Sequence, residues 1–469
     1  MVHTAKAQDR LRDYLLSLPA PIRSRLASVA ADAVAAGSAD PALRLIASTL
    51  APSVPAESEG VPIGPVLPVF ARFQAFIAPF IAPVDASGGF TGFFSRNFAT
   101  HIWEWLVALA GEETEAALAR SQAAVSLDVA EKADSALLAR MADDLESVLA
   151  KAATNRTLAF QIQTELGSVN TSRELGDLSA LFRTAPLVAC IRRFLPEGLD
   201  KIDEERADRL MRLLVAVPPE RLWVAAASIA ASLVVPARVA ALAARLEGTD
   251  AGQRIARGRW SQIVDVAITL IAMSAAKVAS APKRGDLETF LAGVREAYLA
   301  IQTVTRAIEV ESWPAWRERI ADSRKRISDR LGGDLAELPV LLRQTVRAYI
   351  GGDEAARVDQ TEIEDVLRLL RLLYSLKAYR GELAVSELVD RMLRLVEPLM
   401  ENANQSLLSV LRSAPGAHRE RAAAGFDTLM SFSAIVFGEE YAGLLRRSAH
   451  MASDGLVRDA SREQTALAG

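Results

Sequence analysis

Apolar residues recur along this chain at steps of three and four, the spacing of one face of an α-helix. In Glu362–Leu376, the side chains of Ile363, Val366, Leu367, Leu370 and Leu373 share a face, and Glu364, Arg368 and Arg371 lie largely off it. Ala133–Ala152 repeats the spacing through Leu137, Leu138, Met141, Leu145 and Leu149. Ser386–Met400 does so through Leu388, Met392, Leu395, Val396 and Leu399. Alternating patterns of strand type are hard to find at any length. The pattern predicts an all-α protein, either a multi-helix bundle or an irregular, α-solenoid-like helical array, with little or no β-sheet.

The interruptions are those of helices. Ser38-Ala39-Asp40 before Pro41 reads as a cap with proline in the first turn. Asp334, after Gly332-Gly333, reads as a helix start, and Gly351-Gly352 closes the segment that follows. Pro218-Pro219 separates two helices. Connections of about 3–8 residues imply antiparallel neighbours. Short look-alikes at Leu16–Leu26, Ala216–Ala226 and Leu335–Val346 are irregularly separated, so no fixed repeat is present.

Ala51–Pro68 is rich in Pro, Gly and Ser and reads as a linker. The expected organisation is an N-terminal helical unit over 1–50, the linker over 51–68, a helical domain over 69–246, a second over 259–453, and a frayed tail over 454–469. Softer breaks fall at Gly167–Asp177 and Glu247–Arg259.

One segment departs from the general pattern. Eight of the 15 phenylalanines fall between residues 70 and 98: Phe70, Phe73, Phe76, Phe80, Phe90, Phe93, Phe94 and Phe98. Trp103 and Trp105 follow. Phe70, Phe73, Ile77 and Phe80 have helical spacing, with Arg72 and Gln74 mostly off that stripe. Pro79 and Pro83 bend or end the helix. Asp85–Gly89 reads as a turn before the second aromatic run. Such a cluster builds a core efficiently, since each ring buries roughly 150–250 Å². It can also centre a partner interface or rest on a membrane surface. The candidate interaction surface is therefore Phe73, Phe76, Phe80, Phe90, Phe93, Phe94, Trp103 and Trp105. Exposure of Phe73, Phe90 and Trp103 separates these readings; full burial of all three removes both surface ones.

Composition narrows the function. Of 469 residues, 51% are hydrophobic and 24% charged, a globular balance. The net charge of -4 and pI near 5.8 argue against a general nucleic-acid binder. A single cysteine, Cys190, allows no intrachain disulfide and fits a reducing, cytoplasmic setting. The charged start MVHTAKAQDRLRDYLLSL lacks the apolar stretch of a secretory signal. Arginine outnumbers lysine 46 to 8, which reads as the codon bias of a GC-rich, bacterial genome. Leu222–Val235 is too short to span a membrane, and Ile263–Val278 carries Asp265 and Lys277, so both read as buried helices.

Chemical motifs are few. The histidines at 3, 101, 418 and 450 are scattered, with no HExxH, paired ExxH or CxxC, so no metal or other cofactor is expected. Asp143-Asp144-Leu145-Glu146 faintly resembles the aspartate-rich motif of helical isoprenoid synthases but lacks a second motif, and reads as an acidic helix face. Ser274 and Lys277 match SxxK spacing without the accompanying motifs. GxGxxG, GxxxxGK[ST] and GxSxG are absent. His101 beside Trp105 reads as a hydrogen-bonded core residue, and Cys190 as a small buried apolar one. The most basic run, Arg317–Leu331, offers a candidate patch for an anionic partner in Arg317, Arg319, Arg324, Lys325, Arg326 and Arg330, just after Trp313 and Trp316.

The reading these observations support is a non-enzymatic helical scaffold, adaptor or regulatory protein that acts through a protein partner. The alternatives are a membrane-surface or lipid-handling protein using segment 70–105, or a helical enzyme or small-ligand binder.

Overall fold

The computed structural model describes residues 66–84, 89–351, 359–379, 381, 383–414 and 416–451. The N-terminal unit expected over 1–50, the cap at Ser38–Pro41, most of the linker and the tail over 454–469 lie outside these residues. By internal contacts the chain divides after Val66, and the unit beginning at Leu67 carries every described helix.

That unit is an all-α array with no strand among the described residues; only isolated bridges such as Ile81 with Phe94 interrupt the helical pattern. Its first half contains α1 (Val69–Ile77), α2 (Arg96–Leu109), α3 (Glu112–Gln122), α4 (Leu127–Thr154), α5 (Arg156–Leu166), α6 (Thr171–Arg183), α7 (Ala185–Phe194), α8 (Glu204–Val215), α9 (Leu222–Ala231) and α10 (Val239–Glu247). The second half contains α11 (Gly252–Arg257), α12 (Ser261–Ser280), α13 (Leu287–Ala307), α14 (Pro314–Leu335), α15 (Leu338–Ile350), α16 (Gln360–Leu376), α17 (Ser386–Ser413), α18 (Gly416–Ala424) and α19 (Phe426–Phe437). Residues 439–451 are helical as well.

Side-chain caps fix several starts. Ser126, Asn155, Asp203, Asp286 and Asp359 each accept a backbone N–H from the first turn of their helix; one such cap contributes about 1 kcal/mol. Gly167 and Gly248 end α5 and α10 in the left-handed conformation.

The apolar faces explain the packing. α12 is apolar almost all round, the pattern of a helix surrounded by others, and α9, α10, α13 and α14 pack against it. It alone among the described helices is long and apolar enough to cross a membrane, and 67% of that stretch is buried within the fold. α4 packs on α3 and α6, and α2 on α5; in the second half α15 packs on α16 and α17, and α16 on α19. One hydrophobic core runs from Val69 to Ala449, and α10 joins the halves by packing on both α12 and α13.

The breaks differ from expectation at particular residues. Gly332, Gly333 and Asp334 do not start a helix; α14 runs through them. Asp334 is buried and pairs with Arg330 one turn earlier, which holds the helix across the glycines. The Gly167–Asp177 break shrinks to a few residues, because α6 begins at Thr171. Glu247–Arg259 contains the short α11. Leu395 is exposed while Leu393 is buried, since the buried stripe of α17 runs through Val389, Met392, Val396, Met400 and Ala403.

Candidate functional site

α1 owes its short length to proline. Pro79 sits in a 3-10 turn over Ala78–Phe80 that ends the helix. Val69, Phe73 and Ile77 point inward, and Phe76 lies at their edge, half-buried. The rings lock to their surroundings by aromatic contacts. Phe73 lies 4.8 Å from Trp103 of α2 and 6.1 Å from Phe182 of α6; Phe76 lies 6.5 Å from Phe182.

Between α1, the start of α4 and α7 the helices leave an open groove of about 600 Å³. Phe73, Phe76 and Trp103 form its aromatic floor, and Leu127, Leu138, Pro186 and Ala189 line its sides. Leu127 is 68% exposed and Phe70, in ring contact with Trp103, is 44% exposed, so apolar surface continues out of the groove.

Four cations and three carboxylates also line it: Arg72, Lys132, Arg192 and Arg193 against Asp128, Glu131 and Asp134. Two pairs neutralise each other. Arg72 donates to both oxygens of Asp134, at 2.7 and 2.8 Å, and to Ser121 Oγ at 2.8 Å. The hydrogen bond to Asp134 holds the Arg72 guanidinium above its ordinary pKa. Arg193 meets Glu131 at 3.0 Å on the rim. Arg192 differs. It is half-buried, donates to the carbonyl of Phe76 at 2.7 Å and lies over that ring at 5.6 Å from its centroid. It makes no ion pair among the described residues. Burial pushes its pKa down, opposed only by the charge of Glu197.

The eight aromatic residues singled out by sequence therefore separate. Phe73, Phe80, Phe90, Phe93 and Phe94 are buried in the core, while Phe76, Trp103 and Trp105 are half-buried. Trp105 donates to Glu165 of α5 at 2.9 Å, away from the groove. Of the three deciding residues, Phe73 and Phe90 are buried and Trp103 is not fully so.

A second cleft, of about 700 Å³, has charged walls. Phe90, Trp223 and Gln262 line it with Asp177, Glu220, Asp265, Asp322, Arg319 and Arg326. Two of its four carboxylates, Asp177 and Asp265, are engaged, and Glu220 and Asp322 are exposed. Asp177 accepts the Gly92 N–H at 3.1 Å, and burial raises its pKa above the ordinary carboxylate range. Asp265 accepts from Arg319 at 2.7 Å and from Trp316 Nε1 at 3.1 Å. No group of three His, Cys, Asp or Glu among the described residues is placed to hold a metal ion. Gly92 is needed here: its φ is +77°, and a Cβ would stand 2.6 Å from the Trp223 ring.

The basic run also separates. Arg319 is tied to Asp265, and Arg330 to Asp334 and the Ala281 carbonyl. Arg324 is half-buried, and Arg317, Lys325 and Arg326 are exposed. The acidic run on α4 is a staple: Arg183 of α6 bridges Asp143 at 2.6 Å and Glu146 at 2.9 Å, and Asp144 accepts from Thr114 at 2.7 Å. Ser274 and Lys277 both meet Glu296. His101 is exposed, not in the core, and its Nδ1 bonds the Asn97 carbonyl one turn earlier. Cys190 is half-buried and unpaired.

Sequence reasoning missed Arg72, Asp134, Leu127 and Arg192 as groove residues. Arg72 is 62 positions from its partner, and a basic pair closing an apolar helix is ordinary dipole chemistry. No family model matches this chain, and neither a curated protein nor a solved structure does.

Proposed function

We propose that this protein is a helical scaffold, adaptor or regulatory protein, and that the α1–α4–α7 groove seats apolar side chains of a partner protein. The observation that carries this reading is the groove floored by half-buried Phe76 and Trp103 beside buried Phe73, continuous with exposed Phe70 and Leu127. Exposed apolar surface extending from a groove marks interaction sites, and aromatic pockets are where binding energy concentrates. A lipid-surface role is less well supported. Five of the eight aromatic residues face inward, and the groove's charges are four cations against three carboxylates, which gives anionic lipid little attraction.

Site-specific photocrosslinking tests the reading. A benzophenone amino acid replacing Leu127, in the cells that make the protein, is expected to give a discrete protein adduct. Ala189→Trp fills the groove from α7 and is expected to abolish that adduct. An adduct unchanged by Ala189→Trp, or no adduct at all, contradicts the reading.

A further inference from the structure

We infer that the groove's occupant is an amphipathic peptide segment of the partner that carries an acidic residue beside its apolar anchors, and that Arg192 receives that carboxylate. This rests on the docking role of the groove proposed above.

Charge accounting carries the argument. The Arg72–Asp134 and Arg193–Glu131 pairs satisfy four of the seven charged groups in the wall. Asp128, Lys132 and Arg192 remain, a surplus of one positive charge within the lining; Glu197, outside the lining, acts on Arg192 by its charge and is not in hydrogen-bond contact with it among the described residues. Asp128 stands in the first turn of α4, where the helix dipole already favours a negative charge. Lys132 is exposed and well hydrated. Arg192 is the partly desolvated one, and its position is fixed from two sides, by the Phe76 carbonyl and the Phe76 ring.

A guanidinium has five donors in a planar fork. Among the described residues one acceptor, the Phe76 carbonyl, engages that of Arg192, which leaves an edge for a carboxylate in bidentate geometry. The aromatic floor lies beside it, because Phe76 both supports Arg192 and lines the groove. On a peptide, an apolar side chain on that floor and a carboxylate on Arg192 therefore come from neighbouring positions of one segment. Residues three or four apart on a helix meet this requirement. The exposed Phe70 and Leu127 extend the apolar contact beyond what a small molecule within the groove would use.

Selection from phage-displayed random peptides of about 16 residues, some four helical turns, on the full chain tests this. The expected winners carry bulky apolar residues at helical spacing with Asp or Glu one turn away. A synthetic winner should lose about tenfold in affinity on Arg192→Gln, about 1.4 kcal/mol. Replacing its acid with the corresponding amide should cost the same on the native chain and little on the Arg192→Gln chain. Arg192→Lys, which keeps the charge, should lose less than Arg192→Gln, and circular dichroism melts of both variants check that they fold. Winners without acidic bias, or equal binding by Arg192→Gln, overturn the inference and leave groove docking intact. An absence of winners that Ala189→Trp abolishes overturns the docking reading itself. Dodecanoate that binds in an Arg192-dependent way where no peptide binds overturns both and assigns the groove to small amphiphiles.

Discussion

The groove and the charged cleft are built from the same residue types, aromatic rings and arginines, yet they use them in opposite ways. In the cleft Asp177, Asp265 and Arg319 are turned to holding the fold. Asp177 fastens the Gly92 loop, and Asp265 joins α12 to α14 through Arg319 and Trp316. In the groove the pairs Arg72–Asp134 and Arg193–Glu131 close upon themselves at the walls, and the aromatic floor is left open. The difference teaches that an aromatic or basic residue marks a working surface only where a face or edge of it stays open after its contacts within the fold are made.

Variants in the two regions sharpen this contrast. The largest effect is expected in the cleft wall. Gly92→Val puts a β-branched residue at positive φ and drives its Cβ into the Trp223 ring; urea denaturation should show a loss of about 3 kcal/mol. Next comes the groove wall. Arg72→Leu leaves Asp134 part-buried with Ser121 as its one side-chain partner among the described residues and should cost about 2–3 kcal/mol. Adding Asp134→Leu should recover part of that loss, since it removes the stranded charge.

Ala189→Trp is expected to change stability by less than about 1 kcal/mol, because its side chain enters open space, while it abolishes docking. No comparable separation of stability and binding is expected from substitutions at Asp265. The pH dependence of Asp177 is subtler. Its folded pKa is raised, so its contribution to stability is full below the ordinary carboxylate pKa and is lost as pH rises through the folded value. Asp177→Asn should therefore gain on the native chain in urea melts as pH rises above the ordinary carboxylate pKa. Smallest of all, Glu146→Gln weakens an ion pair that is about half exposed at the glutamate and should cost under about 1 kcal/mol.

The sequence pattern made much of the fold legible. Steps of three and four located α4, α16 and α17, and Gly351 and Pro218-Pro219 marked true ends. Local signals failed where distant packing overrode them. The double glycine at 332 and 333 looks like a stop, but the Arg330–Asp334 pair and the surrounding helices carry α14 through it. The aromatic segment was legible as a cluster but not as a site. Spacing puts Phe73 and Phe76 near one face of α1, and it contains no information about which neighbouring helices leave a gap beside that face. Arg72 and Arg192 stayed hidden because Asp134 and Phe76, which fix their roles, lie 62 and 116 residues away.

Fluorine NMR of the chain labelled with 5-fluorotryptophan compares the two regions in one measurement, since Trp103 stands in the groove and Trp223 in the cleft. Resonances are assigned by single Trp→Phe substitutions, and a peptide selected on the full chain is then titrated in. The account predicts that the Trp103 signal shifts while the Trp223 signal stays in place, and that Ala189→Trp abolishes the shift. A shift at Trp223 with Trp103 unmoved would contradict it and make the charged cleft the working surface.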